Sequence, residues 1–142
     1  MLSKKAKYAL KALFHLTRGS EKGPILIADI AEKEGIPRKF LEQILLELKK
    51  QGLLQSQKGK GGGYLLGKRP DQISMGQVIR IVDGPLAPLP CVSQMAYRRC
   101  DECKDEETCE IRWVMKEVRD STARILDGVT LSDAIGRLKP AS

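Results

Sequence analysis

The stretch that most constrains this chain is residues 35–66, GIPRKFLEQILLELKKQGLLQSQKGKGGGYLL. Phe40, Leu41, Ile44, Leu45 and Leu48 recur at the three-and-four step of an amphipathic helix. Pro37 suits its first turn, where a missing N–H costs nothing, and Gly52 is its natural stop. Just upstream, residues 28–33 read as a short helix with Ile30 inward, ended by Gly35. Two short runs follow, residues 53–57 and 64–66, joined by Lys58-Gly59-Lys60-Gly61-Gly62-Gly63. Helix, glycine turn, helix and then a basic hairpin outline a winged helix-turn-helix. The expected fold is mainly α with a small β wing.

The glycine loop admits rival readings. A Walker phosphate loop needs Gly-Lys-Ser/Thr opening a helix, but these glycines lead into Tyr64-Leu65-Leu66. A dinucleotide fingerprint also needs a following helix and lacks one. An ordinary flexible hairpin is the plain alternative.

Charge supports a polyanionic partner. The net charge is +7, and it is unevenly placed. Residues 1–69 carry 15 Lys+Arg against 6 Asp+Glu, a net +9; residues 70–142 carry 10 against 12, a net −2. A basic half that contains the helix-turn-helix suits duplex DNA, although a solvated lysine-rich surface has the same composition. The opening MLSKKAKYAL has no apolar core of signal-peptide length, and no run of about 18 apolar residues occurs. The expected compartment is the cytoplasm, with no membrane partner.

Elsewhere the chain reads as helices. Ser3 caps a first helix over Lys4–Arg18, with Ala6, Ala9, Leu10, Leu13, Phe14 and Thr17 inward. His15, the only histidine, has no ligand-spaced partner there and reads as a packed or surface residue. Ile25-Leu26-Ile27 is too short to assign, with a small strand left open. Ser74 caps a helix over residues 75–82, and Pro85, Pro88 and Pro90 make the next segment extended and irregular. A long helix is expected over residues 106–127, striped by Ile111, Val114, Met115, Val118, Thr122, Ile125 and Leu126. About 20 helical residues span about 30 Å, too much apolar face for its own small domain. A two-fold partner would cover it, so a homodimer is expected. Thr130 and Asp133 form a capping-box start for a last helix to about Leu138, and Pro140 closes the chain. The expected organisation is a winged helix-turn-helix over residues 1–83, a cysteine-bearing loop over 84–110, and a dimerisation helix with a short last helix over 111–142.

Base reading requires side chains on the exposed face at the start of the second helix: Arg38, Lys39, Glu42 and Gln43, with Phe40 beside them. Arg bridges guanine O6 and N7, Gln bridges adenine N6 and N7, and Glu accepts from cytosine N4. Lys58 and Lys60 at the wing tip would reach phosphate or the minor groove.

Four cysteines, Cys91-x8-Cys100-x2-Cys103-x5-Cys109, fall within 19 residues of a proline-bounded loop. In a reducing compartment they read as metal ligands before disulfides. Spacing leaves tetrahedral zinc and an iron–sulfur cluster open. An enzyme is the weakest class. The one histidine lies far from the cysteines, and neither a carboxylate pair nor a nucleotide loop is present. An interaction or DNA-binding module stabilised by zinc is the alternative to a regulator.

Residues 6–113 resemble the winged-helix repressor family that includes IscR, NsrR and CymR. The resemblance is carried by Tyr8-Ala9, Leu26-Ile27-Ala28-Asp29-Ile30, Phe40-Leu41-Glu42-Gln43, Val78-Ile79 and Val82-Asp83. The most specific stretch is Gly61-Gly62-Gly63-Tyr64-Leu65-Leu66-Gly67. The resemblance implies a homodimeric repressor on a roughly palindromic operator, with an iron–sulfur cluster in the cysteine loop. [2Fe-2S] is the expected form, with [4Fe-4S] or zinc as alternatives. IscR-like members use three cysteines in a C-x5-C-x5-C pattern and a nearby histidine. Cys103-x5-Cys109 reproduces the last gap, but the histidine position holds Arg112, the first gap is longer and Cys100 is extra. The correspondence makes Cys91, Cys103 and Cys109 the family ligands and Cys100 the substitute fourth. The aspartate mode of NsrR-like members finds only Lys7 and Tyr8 in its neighbourhood.

Overall fold

The computed structural model describes residues 2–138. Helix α1 spans Lys4–Arg18, and the Ser3 hydroxyl caps it by accepting the Ala6 N–H at 3.0 Å. It buries Ala6, Ala9, Leu10, Ala12, Leu13, Leu16 and Thr17. That face is wider than the expected stripe, which missed Ala12 and Leu16 and placed the half-buried Phe14 inward. The width follows from position, since a helix packed by neighbours on several sides cannot keep a narrow apolar stripe.

Helix α2 spans Ile27–Glu34, one residue longer at each end than residues 28–33. Gly35 stops it in the left-handed region at φ 67°, its N–H returning to the Ala31 carbonyl. Helix α3, Arg38–Lys50, turns its buried face of Leu41, Ile44, Leu45 and Leu48 onto the core. Pro37 is its cap residue, just outside the first turn where the sequence suggested it.

Strands β1, Leu54–Gln57, and β2, Gly63–Leu66, pair antiparallel with Leu54 opposite Leu66 and Gln57 opposite Gly63. The Ile25 run supplies a single bridge rather than a strand: Ile25 and Tyr64 exchange N–H···O bonds at 2.8 Å in both directions. Gly63 permits this, because a Cβ there would lie 2.5 Å from the Ile25 carbonyl oxygen.

Helix α4, Met75–Asp83, is capped by Ser74, whose hydroxyl accepts from Gln77 N–H at 3.1 Å. Asp83 reaches back to accept from the Ser3 amide at 3.1 Å. The proline segment contains one 3-10 turn, Pro90–Val92. Helix α5 covers Glu110–Asp127 and starts later than expected. Residues Glu106–Thr108 form a separate 3-10 turn, because Asp105 caps that turn and Cys109 adopts an extended conformation that resets the chain. Helix α6, Leu131–Arg137, opens on the expected capping box of Thr130 and Asp133. Pro140 lies outside the described residues.

The core gathers α1, α3, α4 and the wing base around Leu13, Leu41, Ile44, Leu45, Leu48, Leu53 and Ile73. Leu131 of α6 enters this same core at 0% exposure, its N–H bonded to the Ile73 carbonyl at 2.9 Å. Helix α5 differs: it buries no residue fully and leaves Ile111, Val114, Val118 and Ile125 exposed. No helix among the described residues is long and apolar enough to cross a membrane.

Candidate nucleic-acid interface and cysteine loop

With its apolar face docked, α3 points Arg38, Lys39, Glu42 and Gln43 outward together. Arg38 and Glu42 are one turn apart, with Nε 3.7 Å from Oε1. Phe40 does not join this row. It is half-buried, edge-on to the Tyr8 ring with centroids 5.5 Å apart, so it fixes the first turn of α3 against α1. Lys5 of α1 meets Glu47 at 2.7 Å and braces the other end of the helix.

The other long helices, and α6, carry side-chain caps; α2 and α3 do not. The first N–H groups of the two helix-turn-helix members therefore keep their donor capacity. The wing stands beside α3, and Lys49 donates to the Ser56 hydroxyl at 2.7 Å to join helix and strand. Lys58 and Lys60 are exposed at the tip. Gly59 and Gly61 turn the loop at φ 90° and 80°, where a side chain would be strained. Gly62 is buried, and a Cβ there would meet the Gln57 carbonyl oxygen at 2.3 Å.

The cysteines occupy four environments. Cys91 is 7% exposed on the Pro90–Val92 turn. Cys100 is exposed, and the Cys103 amide closes a turn onto its carbonyl at 3.0 Å. Cys103 and Cys109 are half-buried. Cys109 caps α5, its sulfur accepting the Arg112 N–H at 3.4 Å in the place a serine oxygen would take.

Charged groups surround this turn. Glu106 accepts a hydrogen bond from the Tyr97 hydroxyl, which holds Tyr97 above the ordinary phenol range. Its carboxylate also faces Arg112 at 3.2 Å and Arg99 at 4.0 Å. The Arg112 Nε–H is not aligned on that carboxylate, so the buried Nε has a near charge and, among the described residues, no hydrogen-bond partner. On the other side, Arg119 of α5 donates to the Val92 carbonyl at 2.7 Å, next to Cys91.

The donor chemistry suits a sulfur-bound metal group. A metal-bound thiolate is stabilised by amide hydrogen bonds, and the Cys109 sulfur already accepts one. The geometry is open: among the described residues no three Cys, His, Asp or Glu stand together at ligand spacing. His15 is not near this loop; its Nδ1 lies 3.0 Å from Glu34 across α1 and α2. Spacing alone gave no sign of Glu106, Arg119 or the Phe40–Tyr8 contact, because each joins segments by folding rather than by sequence period.

An exposed polar helix face beside a basic glycine wing, on a core of this topology, defines a winged helix-turn-helix DNA-binding transcriptional regulator. The chain belongs to the Rrf2 family of iron-dependent transcriptional regulators, whose sequence profile matches residues 2–137. It is similar to the rrf2-like HTH-type transcriptional regulator of Rhodobacter capsulatus, 44% identical over 145 residues, spanning 100% of this chain and 97% of that one. It is 33% identical over 134 residues to the transcriptional regulator IscR of Pectobacterium atrosepticum, spanning 94% and 78%. Among solved structures, CymR, the global cysteine regulator of B. subtilis, matches with a TM-score of 0.80 at 29% identity over 98% of both chains. These relatives regulate transcription, and this chain is likewise a regulator rather than an enzyme.

Proposed function

We propose that this regulator reads a roughly palindromic operator as a homodimer and that an iron–sulfur cluster on its cysteines sets its affinity for DNA. Arg38, Lys39, Glu42 and Gln43 read base edges, with Phe40 holding the helix that carries them. Lys58 and Lys60 engage phosphate or the minor groove. Residues 1–83 form the reading unit, 84–110 the sensing loop, and 111–142 carry the helix that meets a second copy. Cys91, Cys100, Cys103 and Cys109 would hold the cluster, of [2Fe-2S] type, which would supply a redox-active or labile inorganic group. Membership in an iron-dependent family and likeness to IscR favour iron over zinc.

One observation carries the reading: α5 is tied at both ends. Cys109 caps its start, and Asp127 at its finish is forked to Arg80 of α4 at 2.6 and 2.8 Å. A rearrangement of the cysteine turn therefore has a continuous route of contacts to the reading unit. A ligand shifts such an equilibrium only by its differential affinity for the two states.

The test is anaerobic purification with iron, sulfide and zinc analysis, followed by selection of DNA ligands with loaded and metal-free protein. Matched iron and sulfide, visible absorbance and a loading-dependent affinity support the reading. Colourless protein with one tightly held zinc per chain defeats it.

A further inference from the structure

Glu106 joins three segments that the cysteines separate. Tyr97, which donates to it, lies in the segment that follows Cys91. That segment is itself pinned by the Arg98 amide to the Pro90 carbonyl at 3.1 Å. Arg99, 4.0 Å from Glu106, donates its Nη2 to the carbonyls of Cys103 at 3.4 Å and Lys104 at 3.0 Å. Arg112, 3.2 Å away, is the residue whose main-chain N–H caps onto the Cys109 sulfur. The carboxylate itself is only 20% exposed, unlike its neighbour Glu107 in the exposed class.

Two guanidiniums converge on one carboxylate, and among the described residues the Arg112 Nε has no hydrogen-bond partner. Through them the carboxylate is linked to the Cys103 carbonyl and to the turn capped by the Cys109 sulfur. Groups that surround sulfur ligands fix the orientation of those ligands.

We propose that Glu106 is the positioning residue of the cysteine loop. Its carboxylate gathers Tyr97, Arg99 and Arg112, and through them sets Cys103 and Cys109 for a sulfur-bound metal group. This rests on the cluster reading above for the identity of the group, but the positioning is a property of the metal-free chain. Glu106 touches no metal; it acts through the two arginines and the tyrosine.

The experiment uses full-length protein, reduced and freed of metal, alkylated with iodoacetamide and followed by mass spectrometry at each cysteine. In Glu106→Gln the rates at Cys103 and Cys109 rise about three- to tenfold, because the turn that holds them loosens. Cys91, buried on its own turn, keeps its rate. Glu107→Gln behaves as wild type, and Glu106→Asp, which retains the charge, lies nearer to wild type than Glu106→Gln. Unchanged rates at Cys103 and Cys109, or an equal rise at all four cysteines, overturn the proposal. A second arm loads the proteins with iron and sulfide anaerobically and times iron release to a ferrous chelator. Release several-fold faster from Glu106→Gln than from Glu107→Gln supports the role, and equal release overturns it. Wild-type protein that retains neither iron nor sulfide defeats the cluster reading alone, and the alkylation pattern still decides for or against Glu106.

Discussion

Arg80 of α4 grips Asp127 of α5 with both terminal nitrogens, at 2.6 and 2.8 Å, across 47 residues of sequence. The hydrogen bonds hold Asp127 below the usual carboxylate range and raise Arg80 above its ordinary value. Gly76 makes room, since a Cβ there would stand 2.0 Å from Asp127 Oδ1. The fork is partly open to water, with Arg80 28% and Asp127 45% exposed, so solvent screening keeps its contribution small. Asp127→Asn should cost about 0.2–1 kcal/mol by denaturant melts. A carboxylate whose folded pKa is depressed stabilises above its unfolded value, about 3.9, and that contribution is lost as pH falls through the folded value. The wild type should therefore lose stability on acidification below about pH 4 faster than Asp127→Asn. Gly76→Ala should imitate that loss: the methyl displaces the carboxylate, while helix propensity returns up to about 1 kcal/mol. An acid limb identical in all three proteins would show that the fork contributes nothing.

The wing lysines give a second expectation. Lys58 and Lys60 are exposed at the tip of a loop whose glycines bring the backbone close to any facing surface. Each phosphate contact contributes a slope of about 0.9 to the salt dependence of binding. Replacing both lysines with Ala should lower the slope of log K against log salt by about 2 per subunit, about 4 for the dimer, and weaken all duplexes alike. Fluorescence anisotropy over a salt series measures this, and an unaltered slope removes the wing from the interface.

Base discrimination is the third. Gln43 and Glu42 face outward on α3, one turn or less from Arg38 and Lys39. Gln43→Ala should relax preference at one position of each half-site by about 1–3 kcal/mol and leave the salt slope in place. Competition with single-base operator variants reads this out. Uniform weakening at every position would assign Gln43 to phosphate instead.

The local devices were legible before folding was considered. Ser3, Gly35, Ser74 and the Thr130–Asp133 box announced helix ends because capping acts within four residues. The buried face of α3 and the glycine wing were equally local. The start of α5 was not, because Glu106 and Glu107 suit a first helical turn, yet Asp105 and Cys109 cap separate turns on either side. Phe40 belonged to the periodic stripe but meets Tyr8, a contact no helical period encodes. The cysteine spacing gave the number of donors and their neighbourhood. It could not give their unequal burial, which is set by Arg119 on Val92 and by the Glu106 cluster. Pairings across 27 and 47 residues depend on the whole core being in place.

Helix α5 supplies the last expectation. It buries no residue fully, while Ile111 and Ile125 are 64% and 60% exposed and Val114 and Val118 stand between them. An exposed apolar row of that length marks a contact surface, and in the proposed homodimer a second copy crossing it by a two-fold axis buries the same residues twice. Val118→Arg then places two unpaired charges in the covered face. Lost apolar burial and charge desolvation on both subunits should weaken the dimer by about 2–4 kcal/mol, roughly 30- to 1000-fold in Kd. The fold should survive, because Val118 lies outside the buried core. Sedimentation velocity across a concentration series should show a folded monomer where wild type remains dimeric. DNA affinity should fall with dimer content, because each half-site then binds alone. If Val118→Arg sediments as the wild type does, the two-fold contact runs along another surface.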